Sequence, residues 1–402
     1  MEKHLKTLLS IIGGTIFSNG ALAFDDDPTI NDTGLRAEAF LDIKAYEFSK
    51  VLQQQWNNSV NGWRMTGGSL DRNRLFLQTD FRLKESLSDH LSVGLQLDQE
   101  TFYAIKPFPR PLLEIEVQPW SAPIEFSLLG TAALDKREAD IGGAVTYGHR
   151  PWNYFRVVWL SQDYFYNTKN VFDQSYYVKK PQEVRIDTAY YFNERIAGRF
   201  YWERSEPMEF VKNDGSDFFH NSNNYKIELN YYLPTHAWYG LTFRGFSVDK
   251  ALQESTQYQQ QMLSFNSLDL YWVTLAVPDW QITFGTEGDE FGNRLRNKTD
   301  ENESFYYKLK TWQLYSVLHH DYSVHKAWEL GLFVGYSNET TDYLLSYNKD
   351  LALRKVEAKL RTSWEYHSYD KKKTLIFHFT FNLDDLIRDP GDGGGMTFQS
   401  TF

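Results

Sequence analysis

Thr374-Leu375-Ile376-Phe377-His378-Phe379-Thr380-Phe381-Asn382-Leu383 is the stretch that decides the fold. In an extended chain, Leu375, Phe377, Phe379, Phe381 and Leu383 share one face, with Thr374, His378, Thr380 and Asn382 on the other. Just upstream, Val356, Ala358, Leu360, Trp364 and Tyr366 oppose Lys355, Glu357, Lys359, Arg361, Glu365 and His367. A helix would scatter these charges around its circumference, whereas a strand gathers them on one side. The same period recurs where Leu91, Val93, Leu95 and Leu97 alternate with Ser92, Gly94, Gln96 and Asp98. It recurs again where Tyr225, Ile227, Leu229 and Tyr231 alternate with Lys226, Glu228 and Asn230, and more briefly over Leu113–Gln118.

Outward from these strands, composition narrows the class. Phe, Trp and Tyr make up 17% of the chain, yet mean hydropathy is −0.53. The rings are interleaved with charges along the whole length instead of gathering in long aliphatic runs. No stretch after residue 23 approaches the about 18 apolar residues of a membrane helix. A membrane barrel reconciles the two facts, because each strand needs only every second residue to be apolar.

The first residues carry Lys3 and Lys6, a short apolar run from Leu8 to Phe17, and Ala21-Leu22-Ala23 as a small-x-small cleavage pattern. Residues 1–23 therefore read as an export signal, 24–34 as a short periplasmic segment and 35–402 as the barrel. Removing Glu2, Lys3 and Lys6 changes the net charge from −11 to −12. No basic footprint for nucleic acid is present. With no cysteine there is neither a disulfide framework nor a thiolate metal site.

A soluble β-sandwich alternates in the same way, but its strands average about five or six residues, and several segments here are longer. Short turns fall near 87–89, 119–121, 149–151, 193–195, 234–236, 277–279, 324–326 and 370–372. Longer polar loops fall near 51–71, 104–111, 132–140, 167–181, 211–223, 248–261, 288–303, 338–351 and 384–394. These connections predict an all-β, antiparallel up-and-down barrel of about 18 strands, or 16 with one hairpin fewer, the first strand running from Leu35 to Phe48. Trp120, Trp152, Trp238, Trp280 and Trp328 each sit at or just past a short turn, as a periplasmic aromatic girdle would place them.

The chain ends Gly395-Met396-Thr397-Phe398-Gln399-Ser400-Thr401-Phe402. This end resembles that of Gram-negative outer-membrane barrels, the porins among them, whose last strand closes on an aromatic residue. Gly395, Phe398 and Phe402 are the matching positions; Ser400 departs from the bulkier residue of that pattern. The resemblance covers eight residues. It implies an outer-membrane location among lipid and lipopolysaccharide, with insertion by the barrel-assembly machinery reading this end. The strand count resembles polysaccharide-export barrels or sugar porins by architecture alone, which does not fix function.

Residues opposite the apolar faces would line the lumen. The basic set includes Arg74, Arg82, Arg185, Arg199, Arg244, Lys308, Lys310, Lys355, Lys359 and Arg361; Glu357 is among the acidic ones. Such a wall is a charged selectivity region for an anionic or hydroxyl-rich solute, or a salt-bridge lattice that keeps a wide barrel round and wet. Tyr164, Tyr166, Tyr176, Tyr177, Tyr343 and Tyr347 would stack on sugar rings or form the outer girdle. No enzymatic pattern and no cofactor motif is present. His319 and His320 are adjacent on one strand and point to opposite faces, so they cannot clamp one metal. The expected function is a channel for a saccharide or exopolysaccharide, by export or passive uptake, with periplasmic export components as partners in the first case. The alternative is a non-conducting barrel that binds or scaffolds through its loops.

Overall fold

The computed structural model describes residues 49–402, save 71–73, 101–110, 120–121, 132–138, 167–174, 213–214, 254–257, 298–303, 344–350, 385 and 388–390. The expected signal, the segment 24–34 and the expected strand Leu35–Phe48 lie outside the described residues.

Among the described residues one helix, α1 (Lys50–Asn57), precedes the strands. They are β1 (Gly62–Leu70), β2 (Arg74–Ser88), β3 (Leu91–Glu100), β4 (Leu112–Val117), β5 (Ile124–Thr131), β6 (Ile141–Gly148), β7 (Tyr154–Ser161), β8 (Tyr176–Lys179), β9 (Gln182–Tyr191) and β10 (Ile196–Val211). There follow β11 (Asp217–Leu233), β12 (Ala237–Gln253), β13 (Tyr258–Val277), β14 (Trp280–Asn297), β15 (Phe305–Ser323), β16 (Lys326–Tyr343), β17 (Leu351–His367), β18 (Lys373–Asn382) and β19 (Gly391–Thr401). Successive strands pair antiparallel, and β1 pairs with both β2 and β19, so the sheet closes on itself. β8 and β9 share one place in the wall: β8 meets the far end of β10, and β9 meets β7 and the rest of β10. The nineteen described segments thus fill eighteen positions.

Alternation fixes which face is which. On β17, Lys355, Glu357, Lys359, Arg361, Ser363, Glu365 and His367 face inward, while Val356, Ala358, Leu360, Trp364 and Tyr366 face outward. On β18 the inward set is Thr374, Ile376, His378 and Thr380, and Phe377, Phe379 and Phe381 face out. Cross-strand neighbours match, so Leu332, Leu360 and Phe381 form an outer row across β16–β18. The same inversion of a soluble protein holds on β4, where Leu113, Ile115 and Val117 are exposed and Glu114 and Glu116 are buried.

The turns at one end are tight. Val277-Pro278-Asp279 puts proline first, and Asp279 has φ 62°, a left-handed conformation that Asp tolerates better than most residues. In the turn after β17, Asp370 accepts from the Ser368 hydroxyl and the Lys372 backbone N–H. Both contacts hold its carboxyl below the usual range.

Two expectations fail. The segment 51–71 is not a loop: it supplies α1 and the closing strand β1. Only Trp63 and Met65 alternate there with Arg64 and Thr66 before Gly67 and Gly68 erase the pattern. Much of 211–223, 248–261, 288–303 and 338–351 is strand as well. In the far parts of β12–β15 the two faces exchange character. Outside stand Ser264, Asn266, Glu290, Arg294, Lys308 and Lys310. Inside, Phe246, Val248, Leu263, Phe265, Phe291, Tyr307 and Leu309 form an apolar cluster. These polar stretches read as loops in the sequence because their polar residues face outward there.

Candidate functional site: the inner wall and its plug

Near the short-turn end the inner wall is ionic. Glu114 pairs with Arg156, Glu116 with Arg150 and Lys84, and Lys84 also reaches Glu125 at 3.3 Å. Arg185 bridges Glu183 at 2.7 Å and Glu203 at 3.4 Å. Across the barrel Arg361 pairs with Glu329, Lys355 with Glu357 at 3.4 Å, and Arg244 with Glu287 at 3.8 Å. Lys359 is buried beside them on β17. Most of these inward cations thus find an anion on the same strand or one close by, which offsets the cost of burying them.

α1 lies within this wall and reaches it at β2, β10, β11, β13, β19 and the turn after β17. Ser49 caps its start, accepting from the Leu52 N–H at 3.2 Å. Lys50 pairs with Asp269 of β13 and stands over the Tyr271 ring. Gln54 donates to the Tyr232 hydroxyl at 2.9 Å, and Asn57 to Glu228 at 3.0 Å, both on β11. Gln399 of β19 donates to the Leu52 carbonyl at 3.1 Å, and Gln55 donates to the Lys371 carbonyl at 2.8 Å.

The helix end explains two of the arginines. The last carbonyls of a helix lack intrahelical donors and carry partial negative charge. Arg82 donates to the Trp56 carbonyl at 2.8 Å, and Arg199 to the Asn57 carbonyl and, at 3.0 Å, to that of Pro151. The Trp56 ring is 3% exposed and lies between Arg82 and Arg64, at 3.9 and 4.8 Å. A side chain at Gly62 would bring its Cβ within 2.4 Å of that ring.

Small spaces remain in the lumen, two of them beside charged groups. One, about 110 Å³, lies beside the Arg82, Arg150, Arg156, Arg185 and Arg199 guanidiniums; the other, about 50 Å³, lies at Lys50, Asp269 and Glu287. Both have room for a handful of waters.

The sequence placed Arg82, Arg185, Arg199, Arg244, Lys355, Glu357, Lys359 and Arg361 on the inner face, and there they stand. Arg74 lies on β2 beside Leu70. Lys308 and Lys310 do not belong with them: both face outward and share Glu290, at 2.5 and 3.6 Å. On β15 the inward set is Tyr307, Leu309, Thr311 and Gln313. The tryptophans divide. Trp280 and Trp328 face outward, edge to face at 5.8 Å, with His320 stacked on Trp280 at 4.2 Å. Trp238 is buried inward, and Trp152 donates to Asn58 at 2.7 Å beneath the Arg199 guanidinium, so these two do not join an outer belt. Trp120 lies outside the described residues. At the chain end Gly395 pairs with Gly68 and His378, Phe398 packs edge-on against Trp63 at 5.2 Å, and Phe402 is exposed.

Sequence reasoning missed α1 and its anchors Lys50, Gln54, Asn57 and Asp269. The available signals were a serine cap and Leu52 and Trp56 at helical spacing. It also missed that His319, correctly separated from His320, meets His367 of β17. His319 Nε2 lies 3.2 Å from Asp321 and its Nδ1 lies 3.2 Å from Glu365. His367 Nδ1 meets the Thr374 hydroxyl at 3.1 Å, and its Nε2 lies 3.4 Å from Glu365 without forming a hydrogen bond.

No family model matches the chain, and no curated protein matches it. Solved structures similar to it include a bacterial polysaccharide outer membrane secretin, at 10% identity over 86% of this chain and 99% of that one, TM-score 0.39. OmpT of Vibrio cholerae, folded in vitro, gives 9%, 85%, 96% and 0.36. OccK8 (OprE) of Pseudomonas aeruginosa gives 10%, 86%, 98% and 0.38. At these values the likeness bears on neither solute nor mechanism. The wall itself decides the class. Its outer face exposes Leu, Phe, Val and Trp that water would not tolerate in such a continuous band, its inner face there carries the charges, and β1 pairs with β19 so that the sheet closes on itself. The chain is a closed antiparallel β-barrel that crosses the bacterial outer membrane many times.

Proposed function

We propose that the protein is an outer-membrane channel for a hydrated, hydroxyl-rich solute, a saccharide or exopolysaccharide, held shut in this conformation by α1. The observation that carries this reading is the way α1 is held. Lys50–Asp269, Gln54–Tyr232, Asn57–Glu228 and the arginine caps are polar contacts. Water and a sugar's hydroxyls can replace each of them at modest net cost, since such bonds are worth about 0.5–1.5 kcal/mol each in exchange with water, and about 1.5–3 kcal/mol where one partner is charged. A plug fixed only by apolar packing would have no such replacement. The exposed wall would then offer carboxylates and guanidiniums in alternation to a polar solute. Its chemistry is passage, not catalysis, by export or uptake.

A second reading, a barrel that does not conduct and serves as a scaffold, is favoured by the packing of the lumen charges: Glu329 is 3% and Arg361 7% exposed. Proteoliposome swelling separates the two. Wild type should swell slowly in small sugars, and Lys50→Ala with Asp269→Asn should swell several-fold faster, slowed again by added oligosaccharide. Equal, negligible swelling of wild type and the double variant would contradict the channel and leave the scaffold.

A further inference from the structure

We propose that His319, Asp321 and His367 bind a divalent ion of the zinc type on the inner wall at the periplasmic rim, with Glu365 orienting the first imidazole. The site does not depend on whether the barrel conducts.

The ligand atoms that His319, Asp321 and His367 can offer all lie within 4.8 Å of one another. They come from two places that the barrel brings together: His319 and Asp321 are two apart on one face of β15, and His367 ends β17, beyond the intervening β16. A side chain and its i+2 neighbour on a strand point the same way, which makes such a pair a ready half-site.

Hydrogen bonding selects which nitrogen each ring presents. His319 Nδ1 lies 3.2 Å from Glu365 Oε1, the carboxylate–imidazole arrangement that fixes the tautomer and orientation of metal-bound histidines. That leaves His319 Nε2 on the Asp321 side, 3.2 Å from its carboxylate. His367 Nδ1 is occupied by the Thr374 hydroxyl at 3.1 Å. Its Nε2 is buried, makes no hydrogen bond, and belongs to a side chain only 9% exposed. Its nearest acceptor is Glu365 Oε2 at 3.4 Å, poorly aligned for a hydrogen bond; a buried ring nitrogen held this loosely is costly, and an ion at this point would bind it.

The donor set chooses the metal. Two imidazole nitrogens and one carboxylate suit zinc and the late first-row ions, whereas calcium and magnesium require oxygen ligands in larger number. Three protein ligands leave a fourth position for water. Nearby cations do not fill the centre: Arg361 is engaged with Glu329, and Lys371 approaches Asp321 from the turn side at its other oxygen. Asp321 and Lys371 are partly exposed at the rim, which gives an ion a route in from the periplasm. The Lys371 carbonyl accepts from Gln55 of α1, so the ion would sit against the residue that the plug also holds.

Titrating tag-free, chelator-stripped barrel in nanodiscs with Zn²⁺ by calorimetry tests the site, with Co²⁺ absorbance as a direct report of nitrogen ligation. Wild type should take up one equivalent and give a tetrahedral-type Co²⁺ spectrum. His319→Ala and His367→Ala should each weaken Zn²⁺ binding by about 100-fold or more, and Glu365→Gln by about 10–100-fold, the usual range for an orienting partner. His320→Ala, on the outer face, should bind as wild type does. Heat-modifiability on gels establishes that each variant is folded. If an alanine variant does not fold, the Co²⁺ spectrum of wild type and the Zn²⁺ affinity of Thr374→Val, expected to fall by about 10-fold, decide instead. No Zn²⁺ uptake by wild type, or a Co²⁺ spectrum of the hydrated ion, would overturn the proposal, as would unchanged affinity in folded His319→Ala and His367→Ala.

Discussion

Trp56 shows how single side chains hold α1 within the barrel. Its ring is clamped between two guanidiniums, worth about 0.5–2 kcal/mol each where water is excluded, and rests where Gly62 leaves room. Trp56→Ala should leave the wall intact and loosen the plug, raising the open fraction in bilayer recordings several-fold; unchanged gating would remove Trp56 from the mechanism. On the outer face the sign of a charge substitution is equally clear. Leu332→Arg, in the row with Leu360 and Phe381, should destabilise by about 2–4 kcal/mol if it lies at mid-bilayer depth. Urea-dependent folding into lipid vesicles measures this, and a cost near zero would mean that the row does not face lipid. At this scale the inner set of β17 was legible because seven successive alternations leave no other register. Lys308 and Lys310 were not, since their strand runs past the lipid and a charge there is as comfortable outside as in.

Elements carry the next part of the account. At eight residues α1 is too short to persist alone in water, where helices below about 12–15 residues are marginal. Its helicity depends on Arg82, Arg199 and Gln399 reaching its carbonyls. The sequence hid it because polar anchors such as Gln54 and Asn57 look like loop residues until a polar wall surrounds them. β14, with 18 residues, spans roughly 60 Å, or about 45 Å after tilt, well beyond an apolar band of about 25 Å. The excess explains why polar and apolar faces exchange on β12–β15. Single cysteines placed along residues 355–366 of this cysteine-free chain should therefore fall into two classes. Even positions such as Val356, Leu360 and Trp364 should resist aqueous thiol reagents whatever α1 does. Odd positions such as Lys359 and Arg361 should react slowly in the whole protein and several-fold faster once α1 is removed. Uniform reactivity would mean the wall does not separate lipid from lumen.

The whole molecule depends on one seam, β1 against β19. Trp63 and Phe398 meet there, and the Phe402 N–H reaches the Asn61 carbonyl at 3.3 Å. The terminal phenylalanine lies at the point of closure, and its proposed role as an insertion signal makes Phe402→Asp accumulate in the periplasm without becoming heat-modifiable; normal insertion would end that proposal. The account as a whole rests on a polar lumen closed by α1, and one recording tests it directly. Residues 50–57 are replaced by a Gly-Ser segment of equal length, and the heat-modifiable protein is placed in planar bilayers beside wild type. The expected result is brief, rare openings from wild type and steady conductance from the variant, blocked by added oligosaccharide. A folded variant as silent as wild type would contradict the account.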